Sequence, residues 1–364
     1  MKEKPLTFAL HRCVQPCSDQ QRDAILANPG FGQYFTDHMV SIRWRYDHGW
    51  DEAQVCPYGP VMLDPAASVF HYGQEIFEGI KFYRHADGSV WTFRPEANAQ
   101  RFIRSAQRLA LPQLPAALFV QSLRELAQVD HAWVPSREES SLYCRPFMIA
   151  TEAFLGVRAA NQARFFVIAS PSGPYFEQGI QPIAIWVSRE YSRAGKGGTG
   201  AAKCGGNYAA SLLPQQLAKA QGCSQVLFLD AVHERYLEEL GGMNLFLVDR
   251  NQQLITPALS GSILEGVTRD SIITLAKQRG LKVLEQRLDL DDVLTAFAQG
   301  DIKEMFACGT AAVITPIGQL KSNDFCVGNL SSLPGPVTTA LRQELTDIQY
   351  GRRPDYHDWM VRLI

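Results

Sequence analysis

One stretch constrains this chain more than any other: Gly195-Lys196-Gly197-Gly198-Thr199-Gly200-Ala201-Ala202-Lys203-Cys204-Gly205-Gly206-Asn207-Tyr208. Six glycines between Gly195 and Gly206 let the backbone approach another group closely or adopt φ > 0. The stretch is no phosphate-cradling P-loop, because neither lysine has the upstream glycine spacing and trailing Ser/Thr that motif needs. Gly195-x-Gly197-x-x-Gly200 formally matches the dinucleotide fingerprint, yet the glycines run on to Gly206, Pro214 follows early, and no acidic residue ends a second strand at the required distance. What remains is a lysine in a cradle of small residues beside a tyrosine. A desolvated lysine amine is a nucleophile that forms a Schiff base with an aldehyde. The bland alternative is a surface loop with a solvated Lys203.

Composition narrows the setting. The 364 residues fit two domains. With 46% hydrophobic and 20% charged residues, 28 Gly and 20 Pro, collagen-like and disordered classes drop out. Lys plus Arg is 35 against 37 for Asp plus Glu, so no basic excess exists to drive nucleic-acid binding. No apolar run reaches the ~20 residues of a membrane helix, and Leu6–Leu10 is too short for a signal peptide. A cytoplasmic protein with no membrane partner is expected. The eight cysteines contain no CxxC pair, which points to reduced thiols rather than a disulfide scaffold, and no metal site is expected.

Along the chain, residues 1–40 read as an irregular lead-in and 55–83 as short strands. Ala97, Phe102, Ile103, Ala106, Leu109 and Ala110 recur at helical spacing within 94–111, and 118–129 reads as a second helix. Strands are expected at 141–150 and 164–170. The breakers Pro171, Gly173, Pro174, Gly179 and Pro182 predict an interdomain linker at 171–182, between a smaller domain over 1–170 and a larger one over 183–364. Beyond it, strands at 183–188, 226–230, 243–248, 303–308 and 313–315 alternate with helices at 207–220 and 268–279. Without a regular βαβ beat, the fold class is α+β.

Pyridoxal phosphate, an aldehyde that such a lysine could hold, asks for a carboxylate at its pyridine nitrogen, donors at its phosphate and a hydroxyl at its phenolic oxygen. Candidates for these parts lie on both sides of Lys203. Glu238 and Glu239 precede an apolar strand; Gly266-Val267-Thr268 opens a helix whose N–H groups suit a phosphate; Gly309-Thr310-Ala311 is a second donor turn; Arg101 and Arg145 are candidate anion binders.

In these stretches the chain resembles the branched-chain amino acid aminotransferase family, pyridoxal-phosphate enzymes of fold type IV. The matching runs are His71–Gly79, Leu142–Pro146, Gly198–Tyr208, Glu239–Phe246, Gly266–Arg269 and Gly309–Ala311, in family order over nearly the whole chain. The resemblance implies a two-domain enzyme with its site at the domain interface, a homodimer, and reversible transfer of the amino group of L-leucine, L-isoleucine or L-valine to 2-oxoglutarate. It implies that Lys203 holds pyridoxal 5'-phosphate and shuttles the proton, that Tyr208 bonds the phenolic oxygen and that Glu239, rather than Glu238, faces the pyridine nitrogen. Arg101, Val267, Thr268 and Thr310 would hold the phosphate. Phe77, Tyr143 and Tyr175 would line the side-chain pocket, with Tyr72 and Arg145 admitting a distal carboxylate and Thr310-Ala311 receiving the α-carboxylate. Two departures stand out. Animal members carry a redox CxxC where this chain has Ala312 and Thr315, and some members have a threonine at Gly242. The rival readings are an aminotransferase dedicated to an unusual apolar amino acid, and a D-amino acid aminotransferase or lyase of the same fold.

Overall fold

The structure, a computed structural model, describes residues 6–174, 181–331 and 333–364. The chain forms two compact units, Met1–Tyr175 with Ile348–Ile364, and Phe176–Asp347. Both mix helix and sheet, as the α+β expectation requires.

The first unit is built on strands β1 (Ala9–Leu10), β2 (His38–Arg45), β3 (Gly49–Pro57), β4 (Glu75–Phe77), β5 (Ile80–Arg84), β6 (Val90–Phe93), β7 (Ser141–Ala150) and β8 (Gln162–Ser172). Their order is β1-β3-β2-β8-β7-β5-β6, with β4 paired to β7. All pairings are antiparallel except β1 with β3. Helix α1 (Asp19–Ala27) forms where a lead-in without structure was expected; its signal is the capping box of Ser18 and Gln21. Helix α2 (Ser68–Tyr72) ends on Gly73 in the left-handed region.

Helices α3 (Pro95–Arg108) and α4 (Ala116–Asp130) sit close to the periodicity's expectation. Pro95 occupies the first helical position, where its missing N–H costs nothing. The apolar stripe of α3 carries Phe102 to Phe119 of α4 and Phe165 of β8, with ring centroids 5.5 Å away in both cases. Burying three such rings contributes roughly 2 kcal/mol each.

The second unit has β9 (Ile183–Ser188), β10 (Gln225–Leu229), β11 (Leu237–Leu240), β12 (Asn244–Asp249), β13 (Leu254–Pro257), β14 (Val283–Gln286), β15 (Ile302–Gly309), β16 (Val313–Lys321) and β17 (Cys326–Gly328). Because β11 pairs with both β10 and β12, the strands β11-β10-β9-β16-β15-β12 close into a ring. Alternate residues fill its core: Leu245 and Leu247 of β12, Met305 and Ala307 of β15, Ile185 and Val187 of β9. Helices α5 (Gly205–Ala220), α6 (Val267–Gln278), α7 (Leu290–Ala298) and α8 (Pro336–Gln349) accompany these strands, and α5 continues past a buried Pro214.

Two boundaries differ from the expected ones. The linker placed at 171–182 begins inside β8, whose Ser172 pairs with Ser141. The second domain, expected to reach residue 364, ends at Asp347, since the chain returns to the first unit. There β18 (Met360–Arg362) pairs antiparallel with β6, and Trp359 packs edge-on against Phe93 at 5.5 Å. Composition does not announce this return, because the edge it completes lies over 260 residues upstream.

Among the described residues no helix is long and apolar enough to cross a membrane.

Candidate active site

In the second unit the glycine-rich run lies between β9 and α5. Asn207 ties it together, donating from Nδ2 to the carbonyls of Thr199 (2.8 Å) and Ala202 (2.9 Å) and accepting from Thr199 Oγ1 at 2.7 Å. This folds the run back so that Lys203 stands just before α5 and Tyr208 on its first turns. Lys203 Nζ donates to the Tyr208 hydroxyl at 2.7 Å. The glycines are not equivalent. A Cβ on Gly200 would come 2.1 Å from the carbonyl oxygen of Ser262, so only glycine permits this backbone approach. A Cβ on Gly206 would meet nothing within 4 Å.

Glu239 lies on β11 and is 2% exposed. Its Oε1 accepts from Arg193 Nη1 at 2.8 Å and from the backbone N–H of Leu264 at 2.7 Å. Burial pushes its carboxyl up to about 7, against the lowering effects of Arg193, the Leu264 amide and Lys203. Lys203 is thus close enough to act on Glu239 electrostatically. Its neighbour Glu238 points to the other face of the strand and takes hydroxyls from Ser260 and Ser262.

Arg193 carried no sequence signal, yet it joins three segments. Nη1 also donates to Ser262 O (3.1 Å) and Gly200 O (3.3 Å). The loop that follows Ser262 is held again by Asn244, whose Nδ2 donates to Leu264 O at 3.0 Å. A Cβ on Gly266 would fall 2.1 Å from Asn244 Oδ1, so that glycine is the price of the close fit. Gly266 is the N-cap of α6, which puts the Val267 and Thr268 amides at the helix's positive end. The turn Thr310-Ala311 joins β15 to β16. It neighbours the β11–β12 turn: a Cβ on Gly309 would touch Met243 Cγ at 3.3 Å, and one on Gly242 would touch the Tyr208 ring at 3.5 Å. Lys203, Tyr208, Glu239, Val267, Thr268, Thr310 and Ala311 therefore fall within one interlocked set of loops.

The first unit holds a separate group. Register sets Lys81 of β5 opposite Tyr143 of β7, and Phe77 opposite Phe147. The Arg145 guanidinium lies over the Phe77 ring at 4.7 Å and donates to the Tyr143 hydroxyl at 3.3 Å, while its buried Nε has no hydrogen-bond partner. Gly79 lets Tyr143 lie across the strand, since a Cβ there would sit 2.1 Å from its hydroxyl. Phe31 meets the same ring edge-on at 5.0 Å.

Tyr72 is not brought to Arg145; its hydroxyl donates to Leu155 O. Arg101 is 4% exposed and forms a two-pronged pair with Glu78, both bonds 2.7 Å. Glu78 was legible only as a letter of a motif, and the structure makes it the residue that fixes Arg101. Tyr175 lies outside the described residues.

The family model for amino-transferase class IV matches residues 75–320. The chain is 55% identical over 367 residues to the branched-chain-amino-acid aminotransferase of Mycolicibacterium smegmatis, covering 100% of both chains. It is 54% identical over 369 residues to the enzyme of the same description from Mycobacterium tuberculosis, again with complete coverage. Among solved structures, the Escherichia coli branched-chain amino acid aminotransferase aligns at TM-score 0.73 and 28% identity, over 89% of this chain and 100% of that one. The branched-chain amino acid aminotransferase of Thermobaculum terrenum in its PLP form shares the fold, at TM-score 0.74 and 24% identity over 91% and 100%. A chain with this cradle, this buried carboxylate and these relatives belongs to the class IV amino-transferases, in the branched-chain-amino-acid aminotransferase family.

Proposed function

We propose that the protein is a pyridoxal-phosphate-dependent transaminase that moves the amino group of L-leucine, L-isoleucine or L-valine to 2-oxoglutarate, reversibly. The observation that carries this reading is the Lys203–Tyr208 pair at 2.7 Å within electrostatic reach of a buried Glu239 whose carboxyl titrates near 7.

The residues present fit the cofactor. An amine beside a hydroxyl suits its aldehyde and phenolic oxygen, a buried acid suits its ring nitrogen, and the N-terminus of α6 suits its phosphate. When bound, pyridoxal phosphate supplies an electron sink for the carbanion at the substrate's Cα.

Every other task belongs to the chain. Lys203 holds the cofactor and, once released, moves a proton at the substrate's Cα as a positioned base. Tyr208 orients the Lys203 amine through the 2.7 Å bond. Glu239, kept dry and pinned by Arg193 and the Leu264 amide, holds a proton on the ring nitrogen. Val267, Thr268 and Thr310 offer donors to the phosphate, together with Arg101 braced by Glu78. Phe77 and Tyr143 form an apolar wall for the side chain. Arg145 answers a distal carboxylate when glutamate is bound, and stacks on Phe77 when it is not. Tyr72, whose hydroxyl bonds Leu155 O within this chain, is not assigned that task, and Thr310-Ala311 receives the α-carboxylate.

We further propose a homodimer working in the cytoplasm. The supporting features are the exposed apolar side chains Phe70 (61%), Leu155 (64%) and Val157 (88%), and eight free thiols. Light scattering on a sizing column tests the dimer.

The functional reading is tested by the absorbance spectrum of purified protein before and after L-leucine, without a keto acid. Loss of a visible band on L-leucine but not D-leucine, with no band in Lys203→Ala, is the expected result. A band indifferent to L-leucine favours the rival substrates, and no band after added pyridoxal phosphate overturns the reading.

A further inference from the structure

On the face of β11 that Glu238 occupies, the second unit contains a cavity of about 300 Å³. Its floor is Glu238 and its apolar wall includes Leu237, Pro257 and Ile263; Lys196 and Arg287 stand at its rim. Glu238 is 6% exposed, and both of its hydrogen bonds, from Ser260 and Ser262, arrive at Oε1. Among the described residues Oε2 has no hydrogen-bond partner. Oε2 is therefore open to the cavity and left to water or to a donor on a bound molecule, while burial of the residue pushes this carboxyl up. Lys196 and Arg287 form no ion pair among the described residues; the Arg287 guanidinium rests over the Tyr236 ring at 5.3 Å.

Glu238 with Asp230 also on the lining, cations without an ion pair at the rim and an apolar wall complement a small zwitterion. We propose that this cavity is a second, non-catalytic site for an apolar α-amino acid. The ammonium donates to Glu238 Oε2, the carboxylate meets Arg287 and Lys196, and the side chain lies against Leu237, Pro257 and Ile263. A dicarboxylate would set like charge against Glu238, and a diamine would do so at the rim. The volume suits one small ligand. The site shares its floor with the catalytic loops: Ser262 bonds Glu238 through its hydroxyl and Arg193 through its carbonyl.

The test is calorimetric titration of L-leucine into protein whose cofactor has been fixed to Lys203 by borohydride, with 4-methylpentanoate present to fill the catalytic site. The proposal does not rest on the cofactor; if borohydride fixes nothing, the same titration is run on protein as purified. The expected result is saturable binding with a millimolar Kd, weakened at least about tenfold by Glu238→Gln, by Leu259→Trp at the cavity's exposed edge and by Arg287→Ala. Isopentylamine, which lacks the carboxylate, binds at least about tenfold more weakly. Binding unchanged in Leu259→Trp and Arg287→Ala, or no saturable binding at all, overturns the proposal. Equal affinity for isopentylamine overturns the amino-acid assignment. Because Leu259 and Arg287 are exposed, those two variants decide the matter even if Glu238→Gln does not fold.

Discussion

Arg193 Nη1 lies 2.8 Å from Glu239 Oε1, with both side chains 2% exposed. The same guanidinium holds the Ser262 and Gly200 carbonyls, so one cation neutralises the buried acid and fixes the two loops beside it. Removing one partner of such a pair leaves an uncompensated buried charge. The expected cost of Arg193→Met in cofactor-free protein is about 3–5 kcal/mol near pH 8. It should be smaller near pH 5, where Glu239 is protonated and no anion is stranded. Urea unfolding at the two pH values measures the difference, and an equal cost at both would show that the charge is not what Arg193 serves.

Glu239 itself makes the cofactor-free protein sensitive to pH. Its folded value, about 7, exceeds the 4.5 of an ordinary glutamate, so the folded state binds the proton more tightly than the unfolded chain. The stability this lends is fully present below the unfolded value and is lost as pH rises through about 7. Relative to Glu239→Gln, wild-type cofactor-free protein should lose about 3 kcal/mol between pH 4 and 8. Parallel stability curves for the two proteins would refute the assignment.

The bond from Lys203 to Tyr208 predicts a graded pair of variants. Tyr208→Phe removes one hydrogen bond to a charged amine, worth roughly 1.5–3 kcal/mol, and kcat for L-leucine should fall about 10- to 100-fold with a spectrum still present. Lys203→Ala should abolish turnover altogether. Steady-state kinetics on both variants separates positioning from the loss of the base.

The two glycines on either side of Lys203 should respond oppositely to alanine. Gly200→Ala drives a Cβ to 2.1 Å from a backbone oxygen, which no rotamer can relieve, and should cost about 3 kcal/mol or more. Gly206→Ala, inside the first turn of α5 with open space around it, should be neutral or stabilise by about 0.5–1 kcal/mol. Melting temperatures of the two variants suffice.

Arg145 should matter unequally to the two substrate types. Arg145→Met keeps bulk against Phe77 and removes the charge, so kcat/KM for glutamate should fall at least tenfold more than for leucine. Equal losses would assign Arg145 to packing alone.

What could be read early was whatever is written in neighbouring residues. The stripe of α3 follows from 3.6-residue spacing, and the lysine cradle follows from six glycines and a tyrosine, because local backbone freedom and periodicity are properties of contiguous sequence. In Leu237-Glu238-Glu239-Leu240 the alternation of a strand guarantees that the two glutamates face opposite ways. It cannot say which face is the cofactor's; only the resemblance named Glu239. The tertiary structure decided the rest. Arg193 acquires its role by reaching Glu239 across 46 residues, Glu78 by reaching Arg101 across 23, and the final strand by pairing with β6 at the far end of the chain. A buried charge selects its partner by proximity and desolvation, quantities set by packing, so these pairs exist only once the sheets of each unit have formed.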